Sequence, residues 1–176
     1  MRLFYALVPA ESEKIQIQAQ QAKLRAVAQS GRDTTTENLH MTLQFLGEIP
    51  AERMKALKKI LTTVARENAP FSITLDAYGS FAGRGRERLW YLTGNSTEAA
   101  AIARALGKLL EENGFAVEHR AFVPHITLAH RCQLKDGAVP EAVTPVTIRV
   151  QRLWLMESRQ IRDSTVYVPV FQAGLS

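Results

Sequence analysis

One cysteine, Cys132, stands in 176 residues, so no disulfide can form within the chain and a small disulfide-stapled fold is excluded. Long apolar runs are lacking too. The apolar stretch at residues 3–8 is too short to cross a bilayer and has no signal-peptide layout. A reducing, cytoplasmic setting away from membranes is the expectation. Also missing are the G-x-S-x-G turn of serine hydrolases, the glycine loops that cradle nucleotide phosphates and the H-E-x-x-H pair of zinc hydrolases. Acidic side chains are the scarcer charge, 17 against 22 Lys and Arg, which leaves a net charge of +5. That balance leans towards an anionic partner, RNA or nucleotides foremost.

What is present suffices for a core, since 46% of the residues are hydrophobic. One domain, residues 1–176, is expected, built of two similar lobes. Residues 3–8 suggest a buried first strand stopped by Pro9. A helix should follow through Ile15, Leu24 and Val27 to a C-terminal Gly31, with a polar loop over residues 31–38. A strand over residues 39–46 closes at Gly47. Met54, Leu57, Ile60, Leu61 and Val64 then recur on one helical face between Pro50 and Pro70. Residues 71–75 and 88–92 look like strands joined through Gly83-Arg84-Gly85-Arg86, and residues 99–110 like a helix ahead of Gly114. Further strands are expected at residues 122–129, 146–155 and 165–170, giving an α+β pattern.

Two tetrapeptides repeat one design: His40-Met41-Thr42-Leu43 and His125-Ile126-Thr127-Leu128. On a strand, side chains two apart share a face, so each tetrapeptide offers one imidazole and one hydroxyl to a common surface. Two similar lobes would set these surfaces opposite one another across a cleft. Such a pair suits phosphodiester cleavage, which needs one proton taken from the attacking oxygen and one given to the leaving oxygen. Imidazole titrates near neutrality, so a neutral and a protonated copy can coexist, and the threonines can donate to the phosphate oxygens. No metal or other cofactor is required.

Other readings weigh less. His119, His125 and His130 cluster in sequence, but the odd spacing of His125 and His130 puts them on opposite faces of a continuous strand, and one cysteine completes no thiolate zinc site. Arg84 and Arg86 can reach along an RNA backbone, although such a stretch is more often a solvated hairpin loop. Phe45, Trp90 and Tyr91 are candidates to stack on a base, and strand parity lets at most one of Trp90 and Tyr91 face the cleft.

The two tetrapeptides, with Arg2-Leu3-Phe4-Tyr5-Ala6, the run from Glu37 to Glu48, Pro124 to Ala129 and Tyr167-Val168-Pro169-Val170, resemble the 2H phosphoesterase superfamily. The likeness is to its RNA 2′,3′-cyclic phosphodiesterase branch, also called 2′-5′ RNA ligase, and covers nearly the whole chain. It implies a bilobal fold with antiparallel sheets lining a central cleft and helices outside. It implies hydrolysis of terminal 2′,3′-cyclic phosphates on RNA, or of small cyclic nucleotides, to 2′-phosphomonoesters, with reversible 2′-5′ ligation open to the same cleft. His40 would be proton donor, His125 proton acceptor, and Thr42 and Thr127 phosphate ligands, with no cofactor and no obligatory protein partner. Relatives often carry arginine where this chain has His130; here Arg131 follows, on the opposite face if the strand runs on unbroken. An RNA-end or nucleotide binding protein without useful turnover would keep the same cleft, but the presence of both histidines favours the enzyme.

Overall fold

The structure, a computed structural model, describes all 176 residues. Strand β1 (Arg2–Leu7) is buried from Leu3 to Leu7, as its sequence predicts. Leu3, Tyr5 and Leu7 enter the main core, whereas Phe4 and Ala6 face the other way and join Met156 in a separate small cluster. β1 lies between β3 (Met41–Glu48) and β9 (Arg152–Ile161), and β10 (Ser164–Gly174) completes an antiparallel sheet ordered β10-β9-β1-β3. The second four-stranded sheet is built from β2 (Ala28–Asp33), β5 (Ala77–Ala82), β6 (Arg88–Thr93) and β7 (His125–Leu134). Its order is β2-β7-β6-β5, again antiparallel. A two-stranded ribbon pairs β4 (Phe71–Leu75) with β8 (Val146–Val150).

Three helices back these sheets. The amphipathic α2 (Met54–Arg66) buries Leu57, Ile60, Leu61 and Val64 behind the first sheet, each such side chain contributing about 1.5–3 kcal/mol of burial. Tyr5 Oη donates to Leu57 O there at 2.7 Å. Beside α2 lies α3 (Thr97–Glu112), whose N-cap Ser96 accepts from Ala99 N at 3.0 Å. Behind the second sheet, α1 (Glu11–Arg25) turns Ile17, Leu24 and the buried polar Gln20 and Gln21 inward. One contiguous core of 34 buried residues unites both sheets and all three helices. The molecule is thus a bilobal α+β fold with helices outside and the free faces of two antiparallel sheets turned to a cleft.

Several local expectations give way. α1 ends at Arg25 rather than Gly31, and residues 28–33 form an edge strand where the sequence predicts the end of that helix and the start of the 31–38 loop. Edge strand β2 is exposed over most of its length, so Ala-Gln-Ser-Gly-Arg-Asp needs no apolar alternation. Ile15 points to solvent, 67% exposed. Residues 71–75 pair with β8, and the arginine-rich connection instead closes a hairpin of β5 with β6. Residues 146–155 divide into two strands at Gln151. Gly47 does not end its strand: with φ at +74° it sits beside a bulge, and β3 continues to Glu48.

Candidate active site

His40 immediately precedes β3 and His125 opens β7, and the two rings are held alike. His40 Nδ1 donates to Asn38 O at 2.7 Å, and His125 Nδ1 donates to Val123 O at 2.7 Å. A carbonyl can only accept, so the proton is fixed on Nδ1 and each neutral ring keeps its lone pair on Nε2. Thr42 Oγ1 lies 2.9 Å from His40 Nε2, as strand parity requires. Asn38 is itself clamped to β10: its Nδ2 donates to Thr165 O at 2.7 Å and its Oδ1 accepts from Tyr167 N at 3.1 Å. On the other side Thr93 Oγ1 donates to Pro124 O at 2.6 Å, pinning the chain just ahead of His125.

Each imidazole also packs against two aromatic rings that touch one another. Phe4 and Tyr167 contact His40 with centroids at 5.0 and 4.8 Å, and Tyr91 and Phe81 contact His125 at 5.0 and 5.3 Å. Gly79 makes the second arrangement possible, because a Cβ there would stand 2.3 Å from the Tyr91 ring. Tyr91 therefore faces the cleft, while Trp90 packs against the core with its indole Nε1 buried and unpartnered.

A bulge falls at the leucine that ends each tetrapeptide. In β3, Thr42 pairs with Ala6 but Gln44 with Tyr5, so one extra residue enters and Leu43 and Gln44 both turn inward. In β7, Thr127 pairs with Tyr91 but Ala129 with Trp90, and Leu128 and Ala129 are both buried. A side-chain amide ties each bulge to the helix behind it. Gln44 Nε2 donates to Ala103 O of α3 at 2.8 Å, and Gln21 Nε2 of α1 donates to Leu128 O at 3.0 Å. The fifth residue after each histidine consequently returns to the cleft face: Phe45, 53% exposed, and His130. This corrects the sequence expectation that His125 and His130 oppose one another across the strand.

The electrostatics are those of a partly dry, positively charged cleft. Burial pulls the His40 pKa down to about 4, the Asn38 carbonyl pulls it back up, and the charges of His125 and Lys14 add to the lowering. His130 is lowered by burial and then by the Arg32 guanidinium. Tyr167 is raised by burial, against the pull of Arg2 and Arg32. Beside His40 opens a cavity of about 640 Å³ lined by Arg2, Phe4, Phe45, Gln160 and Tyr167.

The structure thus gathers His40, Thr42 and Phe45 on one sheet and His125 and Thr127 on the other. The remaining candidates lie apart. Arg131 is exposed in a left-handed conformation, φ +48°, at a second irregularity of β7, and does not take the place of residue 130. Arg84 and Arg86 occupy the tip beyond β5, where Arg86 pairs with Asp136 at 3.3 Å. His119 pairs with Glu111 at 2.9 Å, and nowhere do three His, Cys, Asp or Glu side chains converge as metal ligands would. No helix is long and apolar enough to cross a membrane. Sequence reasoning gave no role to Asn38, Phe4, Phe81, Tyr167 or Arg32. The signal for Asn38 was its offset, two before His40, which Val123 repeats before His125.

Two facing sheets, each presenting a His-x-Thr pair to a shared cleft, define the 2H phosphoesterase class. The profile of the 2′-5′ RNA ligase superfamily matches residues 3–162, and the chain belongs to that family. An RNA 2′,3′-cyclic phosphodiesterase of Escherichia coli K12 is 31% identical over 99% of this chain and 97% of its own. A Geobacillus stearothermophilus protein of the same name is 36% identical over 61% of this chain but only 34% of its own length. The solved Escherichia coli LigT complexed with 3′-AMP superposes with a TM-score of 0.83 at 28% identity, covering 99% of this chain and 98% of that one.

Proposed function

We propose that this protein hydrolyses 2′,3′-cyclic phosphate ends of RNA to 2′-phosphomonoesters, acting as one domain of two similar lobes in the cytoplasm. One observation carries the reading: two imidazoles with the same Nδ1 anchor, each followed by a threonine two residues on, serve one cleft from opposite sheets. The family relationship supports it, since a curated relative matching nearly the whole chain bears the cyclic phosphodiesterase activity in its name.

In this scheme His125 Nε2 takes a proton from water as the water oxygen bonds to phosphorus. The bond from phosphorus to O3′ breaks, and the proton on His40 Nε2 passes to O3′. Thr42 and Thr127 donate to the nonbridging oxygens, where charge is greatest. In the empty cleft His40 is neutral at pH 7 because burial lowers its pKa, and the Thr42 hydroxyl donates to its Nε2. An anionic phosphate reverses that preference: its charge favours imidazolium, and Thr42 then turns its hydroxyl to the phosphate. With an RNA 5′-hydroxyl in place of water, the same transfers yield a 2′-5′ linkage.

The two imidazoles carry both protons, so the scheme uses no metal. The test is chelator-treated protein incubated with an RNA bearing a 2′,3′-cyclic phosphate, with the product phosphate mapped. Full-rate release of a 2′-phosphate is the expected result. A 3′-phosphate product, or activity lost in chelator and restored by zinc or manganese, would overturn it.

A further inference from the structure

Two hydroxyls and two imidazoles leave the bound phosphate without a fixed positive charge, and strand geometry supplies one. On β2, Asp33 stands opposite Ala129 and turns to the α1 side, where Arg25 at the end of that helix pairs with it. Arg32 must then point to the opposite face. There it stands across from His130, which the β7 bulge has returned to the face of His125 and Thr127. The Arg32 guanidinium has no ion pair, no side-chain hydrogen bond and no aromatic ring over it, so its donors are free for a ligand. Two rings from different sheets feel its charge, His130 on the second and Tyr167 on the first, and Tyr167 packs edge-on to His40. Arg32 thus lies on the His130 side of β2, near groups of both sheets.

We propose that Arg32 is a further substrate-binding residue of this cleft, its guanidinium fork holding the nonbridging oxygens of the terminal phosphate of RNA. The inference rests on the cyclic phosphodiesterase reading and deepens it by naming the cation that recognises the phosphate. Guanidinium suits the task because its planar donors match two phosphate oxygens at once and it stays charged at any working pH.

The test is binding, separate from turnover. A short RNA ending in a 2′-phosphate and the same RNA ending in a 2′-hydroxyl are titrated by calorimetry into wild type, Arg32→Gln and Arg32→Lys, with thermal melts confirming the fold. Arg32→Gln should weaken the phosphate-ended RNA at least ~10-fold, the usual scale for a lost charge-assisted hydrogen bond, and barely affect the hydroxyl-ended one. Arg32→Lys should retain part of the preference, as a point charge without the fork. Equal losses on both RNAs would mean a general backbone contact, and no loss would mean a solvated side chain; either overturns the assignment. Wild-type turnover on cyclic ends is measured alongside. Failure of the hydrolase reading then shows as absent turnover, and failure of the Arg32 assignment as unchanged phosphate preference.

Discussion

At the scale of single residues, the two histidines are anchored alike but not placed alike. His40 is drier and its pKa is pulled down to about 4 by burial. Replacing either His40 or His125 by alanine should lower kcat/KM by at least ~100-fold, the usual contribution of a positioned acid or base. A bell-shaped pH profile cannot say which is the acid, because either assignment needs one proton shared by the pair. A cyclic substrate with sulfur at the 3′ position can, since a thiolate leaves without being protonated. That substrate should rescue His40→Ala and leave His125→Ala impaired, and rescue in the opposite order would exchange the roles. The hydroxyls differ as well: Thr42 is already bonded to His40 in the empty cleft, whereas Thr127 has no such bond. Thr42→Val and Thr127→Val should each cost about 1.5–3 kcal/mol of transition-state stabilisation, as for hydrogen bonds to charged groups. Only Thr42→Val should also shift the acidic limb of the profile, which kcat/KM of both variants from pH 4 to 8 would reveal.

At the scale of elements, the strands deliver their histidines by alternation, and each bulge then re-aims the residues beyond it. Alternation is legible in sequence. His40 with Thr42, the amphipathic α2 and the inward Leu3, Tyr5 and Leu7 all follow from spacing. A bulge is not legible, because one extra inward residue such as Ala129 or Gln44 alters no composition or turn signal. The same blindness hid the facing of His130, and β2 escaped notice because an exposed edge strand needs no apolar pattern. Gly79 on β5 is likewise silent in sequence, since its purpose is the ring above it. Gly79→Ala should force Tyr91 from its place beside His125, costing about 1–3 kcal/mol of stability as overpacking does, and lowering kcat. Adding Tyr91→Leu should recover the stability and not the turnover. If the single variant melts with wild type at unchanged rate, the ring is not held by that glycine.

At the scale of the whole molecule, two ionisable groups couple the cleft to the stability of the fold. The His40 and His130 pKa values are both lowered, with burial the first cause for each. For a base lowered in the folded state, the unfolded chain takes up the proton first. Stability is therefore greatest above the unfolded pKa of 6.5 and declines as pH falls towards the folded value of about 4 for His40. Each pKa unit is worth about 1.4 kcal/mol, so His40 alone accounts for a loss of up to about 3 kcal/mol, an upper bound because its ring is only half-buried. His130 adds to the loss in the same direction. A large share of a typical domain's stability would thus be lost as pH falls from 6.5 towards 4. Urea midpoints of wild type should fall steeply between pH 6.5 and 4, and His40→Asn combined with His130→Gln should flatten that part of the curve. The double variant should also bring the midpoint at pH 4.5 closer to its value at pH 7, since neither replacement can be protonated. A wild-type curve that stays level to pH 4.5 would show that the cleft admits enough water to keep both imidazoles near their ordinary pKa. Below pH 6.5 the empty enzyme would then already hold the proton that His40 is proposed to deliver.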